Sequence, residues 1–186
     1  MGQYYIAVNT EDMEHVEPHM YDNGAKLMEH SWIGNNFVEA VEFLLLEGAR
    51  WHNKPIVWAG DYADFEEGTE TTLYNMCDGK GLQMLIEAIP PDHIYLVNYD
   101  KKEYVDKTKC PNNNGWSVHP LPLLTAEGNG RGGGDYHKEE DPFVGSWSRC
   151  RLGLLNHIPE GFTEIVPNFR SEEHTSELQS HHDLVC

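Results

Sequence analysis

The apolar positions in the first third of the chain predict two strands and a helix. Residues 3–9 are β-branched and aromatic and lead into a charged turn, so they predict a strand, with a short return strand at Glu14–Val16. From Phe37 onward, apolar residues recur every three to four positions, which indicates an amphipathic helix. Asn35 or Asn36 can cap its first turn, and Gly48 provides a natural end.

The remaining pattern favours further strands. A second hairpin is predicted at residues 94–105, and a second helix at about residues 81–89. The other strand candidates are residues 55–59, 148–155 and 162–166, and a proline-interrupted edge strand at 117–124. Strands outnumber helices, and the paired arms favour antiparallel contacts. The sequence therefore predicts one α+β domain over residues 1–169, with a mostly antiparallel sheet and two main helices.

The two predicted hairpins share residue types at matching positions. Aligned on their turns, the identical pairs are Val8 and Val97, Asn9 and Asn98, Glu14 and Glu103, and Val16 and Val105. A duplicated half would leave such identities, but two unrelated hairpins with charged turns also resemble each other. Both interpretations stay open at this point.

The last seventeen residues differ in origin from the rest. Residues 170–180 are identical to one translated frame of a common short-read sequencing adapter, and Leu184-Val-Cys186 match the adapter again in the same frame after its variable index. We therefore expect residues 170–186 to be an adapter-derived artefact that is disordered or packs on nothing, and we leave them out of the predicted domain.

Composition indicates a folded and strongly acidic domain. Hydrophobic residues at 39% and aromatic residues at 11% are enough for a packed core. The formal net charge is −18; the tail contains one of the 13 basic and four of the 31 acidic residues, so without it the charge is −15. Nucleic acids and anionic membranes are polyanions, so neither is an expected general partner, whereas a protein partner remains open.

The cysteines and the apolar runs bear on the compartment. Cys77, Cys110 and Cys150 are odd in number and far apart, which favours reduced thiols in a cytoplasmic protein over a disulfide framework or a structural zinc site. No apolar run approaches the ~20 residues of a membrane span, and the N-terminus has no signal-peptide pattern.

Two loops carry the residues best suited to chemistry. One follows predicted strand 55–59 and contains Asp61 and Asp64, whose oxygens suit a divalent cation, although Asp is also an ordinary turn residue. The other is the glycine-rich segment 128–137. It contains Gly-x-Gly-x-x-Gly, but no apolar helix follows, which excludes dinucleotide binding. Its backbone can instead form an anion nest with Arg131 as a clamp, or it is a flexible surface loop.

Both loops contain the tripeptide Gly-Asp-Tyr. If they meet, Asp61, Asp135 and His137 place carboxylates beside an imidazole, a group suited to acid/base catalysis or to a divalent metal. The ligand contacts expected around them are Tyr62, Asp64, Gly130, Arg131, Gly132, Gly133 and Tyr136.

Several segments resemble a group of small bacterial and phage proteins without an established activity. They include the opening Met1-Gly-Gln-Tyr-Tyr5, Ala59-Gly-Asp-Tyr-Ala-Asp64 and Gly128-Asn-Gly-Arg-Gly-Gly-Gly-Asp135. The resemblance covers most of residues 1–169 and implies that this part is a genuine protein. It transfers no catalytic residue.

Two hypotheses for function follow. In the first, the two loops bind a small phosphate- or carboxylate-bearing ligand, and an enzyme of this kind would carry out metal-assisted hydrolysis or group transfer. In the second, the chain is a non-enzymatic accessory factor of a phage or mobile element whose acidic surface engages a basic partner. The first requires the loops around Asp61 and Arg131 to meet at a concavity. The second requires a clustered acidic face, with Glu39, Glu42 and Glu47 as candidates.

Overall fold

The computed structural model describes residues 2–77, 81–82, 88–113, 115–132, 135–136 and 141–169. Most of the predicted helix at 81–89, together with Gly133, His137 and the adapter-like residues 170–186, lies outside these ranges.

One large sheet dominates the described part of the chain. Its strands run in the order β10-β5-β4-β9-β3-β1-β2, with β8 pairing parallel to β3 and a separate small pair formed by β6 and β7. The strand bounds are β1 Tyr5–Asn9, β2 Glu14–Val16, β3 Lys54–Gly60, β4 Tyr95–Asn98, β5 Glu103–Asp106, β6 Asn112–Asn113, β7 Trp116–Ser117, β8 Ala126–Glu127, β9 Cys150–Leu155 and β10 Thr163–Glu164. Apart from β8 on β3 and β10 on β5, neighbouring strands of this sheet are antiparallel.

Four α-helices and two 3₁₀ turns lie between the strands in the described ranges. They are α1 Leu27–His30, α2 Asn36–Leu45, α3 Leu73–Met76 and α4 Pro120–Thr125, with 3₁₀ turns at Pro18–Tyr21 and Lys107–Lys109. The predicted α+β class is confirmed. None of the helices described is long and apolar enough to cross a membrane.

Helix α2 forms where the apolar period predicted it. The side chain of Asn35 accepts hydrogen bonds from the backbone N–H groups of Phe37 and Val38, so two donors of the first turn are satisfied. Seven of its ten residues are buried, and the six apolar ones among them belong to the main hydrophobic core. Burial of this apolar face, rather than intrinsic propensity, accounts for the helix.

The predicted edge strand at 117–124 is wrong, because the segment turns into helix α4 at Pro120. The first N–H groups of a helix have no intrahelical acceptor, so a proline there loses nothing and its fixed φ suits the helix. Nδ1 of His119 accepts a hydrogen bond from the backbone N–H of Leu121 and caps the helix. The prolines that argued for an edge strand therefore mark a helix start.

The two predicted hairpins have the same internal geometry. In β1–β2, Asn9 pairs with Glu14, and in β4–β5, Asn98 pairs with Glu103. Each asparagine side chain accepts hydrogen bonds from two backbone N–H groups of its own turn. The residue before each glutamate has a left-handed backbone, with φ of 52° and 53°. The sequence identities therefore correspond to equivalent structural roles.

A buried tryptophan is bonded to each hairpin in the same way. The indole N–H of Trp51 donates to Glu14 Oε2 at 2.9 Å, and that of Trp147 donates to Glu103 Oε2 at 2.8 Å. Both tryptophans are fully buried. The backbone N–H of each also donates to a leucine carbonyl of the preceding helix, α2 or α4.

The strands that follow the tryptophans pair with each other. Strands β3 and β9 are antiparallel, and Asn9 faces Ile56 on β3 as Asn98 faces Leu152 on β9. The order of the central six strands is therefore symmetric, with one hairpin at each edge and two single strands between the hairpins. These matched registers support duplication of a ββαβ unit over a chance likeness of two hairpins.

The two units also match in the residues that follow helices α2 and α4. After α2, Leu46 forms a parallel bridge with Leu154, and after α4, Ala126 pairs in parallel with Trp58. Each segment therefore runs alongside the strand of the other unit. In the second unit this contact is strand β8, which positions the glycine-rich segment.

A buried histidine lies under the sheet. The Nε2 atom of His30 accepts the indole N–H of Trp58 at 2.9 Å, so Nδ1 carries the proton and donates to the carbonyl of Gly24 at 3.0 Å. Complete burial lowers the pKa of His30 to about 4, against a smaller opposing effect of the Gly24 carbonyl. The folded state therefore favours the neutral form of the His30 imidazole.

This geometry predicts a pH-dependent loss of stability. The pKa of His30 in the folded state lies below its value in the unfolded chain, so its contribution is complete above about pH 6.5 and falls as the pH drops towards 4. The loss should be about 3 kcal/mol. Urea unfolding across this range should show a smaller pH dependence for His30→Gln than for the native chain. The exposed control His157→Gln should retain the native dependence, and equal dependence in both variants would contradict the assignment.

Candidate functional site

The two predicted loops meet because of one parallel strand contact. Strand β8 runs beside the end of β3, with Trp58 opposite Ala126 and Ala59 opposite Glu127. The carboxyl ends of parallel neighbours lie at the same edge of a sheet, so the loops after Gly60 and Glu127 leave it side by side.

Arg131 joins the two loops directly. Its Nη1 atom donates to Asp64 Oδ1 at 2.7 Å and to the carbonyl of Tyr62 at 3.2 Å. The ion pair lies at the surface, and the hydrogen bond to Arg131 lowers the pKa of the Asp64 carboxyl below its usual value. The expected anion clamp is thus already bound to a carboxylate of its own chain.

Asp135 points into the core rather than towards solvent. It is fully buried, and its carboxylate accepts the backbone N–H of Gly132 at 2.7 Å and lies 3.2 Å from the hydroxyl of Tyr5. Burial and the neighbouring Asp135 raise the pKa of Tyr5, so the phenol keeps its proton. Asp135, expected to be catalytic, therefore occupies the position of an anchor for the glycine-rich segment.

A buried glutamine lies behind this anchor. Tyr5 has one hydroxyl proton, and its oxygen lies within 3.2 Å of both Asp135 and the side-chain amide of Gln3. The hydroxyl can donate to the Gln3 side-chain oxygen at 3.0 Å or to the Asp135 carboxylate at 3.2 Å. The Gln3 side-chain nitrogen has no hydrogen-bond partner among the described residues and packs against Gly60 and Gly128.

Close packing on Gln3 also explains the two glycines. A Cβ atom at either Gly60 or Gly128 would lie 2.2 Å from the Gln3 side-chain amide. Gly128 in addition has a φ of 85°, which disfavours other residues. These glycines therefore serve the close approach of both loops to β1.

The remaining predicted residues have mainly structural partners. Asp61 accepts the backbone N–H of Tyr4 at 2.9 Å and stays part-exposed. The side chain of Asn129 bonds both the N–H and the carbonyl of Tyr136, at 2.9 and 3.1 Å, and the Tyr136 ring packs edge-on against Phe169. Tyr136 therefore belongs to the core, not to the expected ligand surface. The backbone of Gly130 has a φ of 84°.

A surface depression lies where the two loops diverge. Its lining includes Asp64, Phe65, Glu66, Glu67, Glu127 and Arg149. Sequence reasoning identified only the first of these six. Phe65, Glu66 and Glu67 directly follow it in the chain, and Glu127 directly precedes Gly128, so proximity to the two motifs was the available signal.

Arg149 is held by two carboxylates in this depression. Its guanidinium donates to Glu66 at 3.0 Å and to Glu127 at 2.6 and 2.9 Å. These hydrogen bonds raise the pKa of Arg149 and lower that of Glu66. The backbone of Arg149 is left-handed, with φ of 59°, a costly conformation that the paired carboxylates help to fix.

The described residues provide no metal ligand set. Within the ranges given above, no group of three or more His, Cys, Asp and Glu side chains is placed to hold a metal ion. Two expected site residues, Gly133 and His137, lie outside those ranges. The divalent cation considered from the sequence thus stays a prediction without a described site.

The predicted acidic face on α2 needs a correction. Glu42 is buried, with Oε1 3.0 Å from His119 Nε2 and in an ion pair with Lys107. Burial by itself would raise the pKa of Glu42, but the two partners outweigh it and lower the value to about 2. Glu42 is therefore an internal ion-pair residue, while Glu39 is part-exposed and Glu47 exposed.

No protein-family model, curated protein or solved structure matches the chain. The resemblance to small bacterial and phage proteins stays a prediction.

The buried position of Asp135 predicts a structural effect of its removal. Asp135→Ala leaves the Gly132 N–H without its acceptor and leaves the Tyr5 hydroxyl with Gln3 alone, so the free energy of unfolding should fall by about 1–3 kcal/mol. Asp135→Asn retains an acceptor oxygen and should lose less. Urea unfolding would measure both, with the exposed Asp64→Ala as control. Native stability of Asp135→Ala would refute the anchoring role.

Proposed function

We propose that the protein is a non-enzymatic binding module whose acidic depression accepts a basic group of a protein partner. One observation supports this proposal above the others. Arg149, which lines the depression, and Arg131, which pairs with the lining residue Asp64, are both already paired with carboxylates of the same chain.

The charge balance of the depression favours a cationic occupant. Four carboxylates, from Asp64, Glu66, Glu67 and Glu127, face two arginines. Glu67 is exposed and forms no ion pair with any described residue. The excess negative charge, within a domain of formal charge −15 over residues 1–169, attracts basic groups and repels phosphates or carboxylates.

An exposed aromatic residue adds an apolar contact. The side chain of Phe65 is 63% exposed, although Phe is normally among the most buried residues. It lies at the base of a short hairpin, bridged to Thr72, and borders the depression. A basic side chain followed by an apolar one matches this surface, because aromatic rings interact with both cations and apolar groups.

Binding of a model peptide tests the proposal. A fluorescein-labelled peptide of lysine and arginine alternating with leucine should bind the chain in fluorescence anisotropy and weaken with added salt. Phe65→Ala should weaken binding roughly tenfold, since exposed aromatic anchors dominate such contacts. Glu67→Lys should weaken it about threefold or more through like-charge repulsion.

A matched control separates the local site from total charge. Glu160→Lys makes the same charge change on an exposed residue that follows β9. Because β9 runs antiparallel to β3, the carboxyl ends of these two strands lie at opposite ends of the sheet. Equal weakening by Glu160→Lys and Glu67→Lys would refute a defined site. A peptide that does not bind, with a melting temperature raised by inorganic phosphate, would instead favour the anionic-ligand hypothesis.

A further inference from the structure

The two similar units, from β1 to β3 and from β4 to β9, differ at one turn. After α2 the chain reads Leu46-Glu47-Gly48, and after α4 it reads Ala126-Glu127-Gly128. Both glycines have a left-handed backbone, with φ of 80° and 85°. The turns therefore start in the same conformation from equivalent positions.

The number of residues between this glycine and the following buried tryptophan differs greatly between the two units. In the first unit, two residues separate Gly48 from Trp51. In the second unit, eighteen residues separate Gly128 from Trp147, although both tryptophans make the same two hydrogen bonds. The extra length is sixteen residues, which corresponds to residues 129–144. Repeat architectures carry such insertions as loops, often on the binding face.

We propose that residues 129–144 are an insertion into the second of two duplicated units, and that Arg131 on it is the specificity determinant of the acidic depression. The second part rests on the proposed function. By holding Asp64, Arg131 withdraws one exposed carboxylate from the surface that a basic partner meets. The insertion therefore limits which basic groups bind, rather than supplying the attraction.

The fold should close without the insertion. A variant that lacks residues 129–144 and carries Gly145→Ala and Ser146→Arg gives the second unit the turn of the first. It should unfold cooperatively in urea and keep the near-ultraviolet circular dichroism of its buried tryptophans. Its midpoint should be lower, because the buried Tyr136 is lost. Loss of cooperative unfolding would refute the insertion, and this outcome requires no ligand.

The role of Arg131 is tested in the full chain. With the lysine-, arginine- and leucine-containing peptide, Arg131→Ala should bind about threefold tighter at low salt, because Asp64 becomes available. The control Arg151→Ala removes an arginine of similar exposure that pairs with Asp100, outside the depression, and should stay within twofold of the native affinity.

The outcomes separate the two proposals. If the native chain binds the peptide and Arg131→Ala binds it no more tightly, Arg131 is not the specificity determinant. The proposed binding module is unaffected by that result. Failure of both proteins to bind the peptide refutes the proposed function and, with it, the role of Arg131. An equal gain in Arg151→Ala would show that net charge alone is responsible.

Discussion

The fold depends on the indole hydrogen bonds of two buried tryptophans. An indole N–H can only donate, and leaving it unpaired in a core costs about 1–3 kcal/mol, so each tryptophan needs an acceptor at a fixed place. Glu14 and Glu103 provide it from the hairpins. Each bond joins a hairpin to the start of a central strand, β3 or β9. Because those strands pair with each other, the two bonds fix both halves of the sheet.

The position of the candidate site follows from this frame. Once Trp147 is held beneath its hairpin, the residues before it must return from the end of α4 alongside β3, where Ala126 pairs with Trp58. This contact places the glycine-rich segment beside the Asp61 loop. The anchor from Asp135 to Tyr5 then fixes the segment on β1. The depression is therefore a consequence of the fold.

Local patterns in the sequence predicted most of the elements but not their contacts. The α2 helix and both hairpins follow from period and turn chemistry, because these signals act over a few residues. The sequence predicts a strand where α4 lies, because prolines suit either a strand edge or a first helical turn. Asp135 and Arg131 stood out as polar residues among glycines, yet their partners, Tyr5 and Asp64, lie 130 and 67 positions away. A single sequence without contacts cannot show such pairs.

The partners of those residues change what the motif means. An arginine among glycines suggests an anion site only while its guanidinium is free, and here Arg131 is bound to Asp64. A buried aspartate suggests acid/base chemistry only if it is accessible, and Asp135 is fully buried. What remains exposed is negative charge beside Phe65. In the proposed duplication, one unit keeps the short turn that closes the sheet and the other carries the longer segment, so the segment is compatible with the fold.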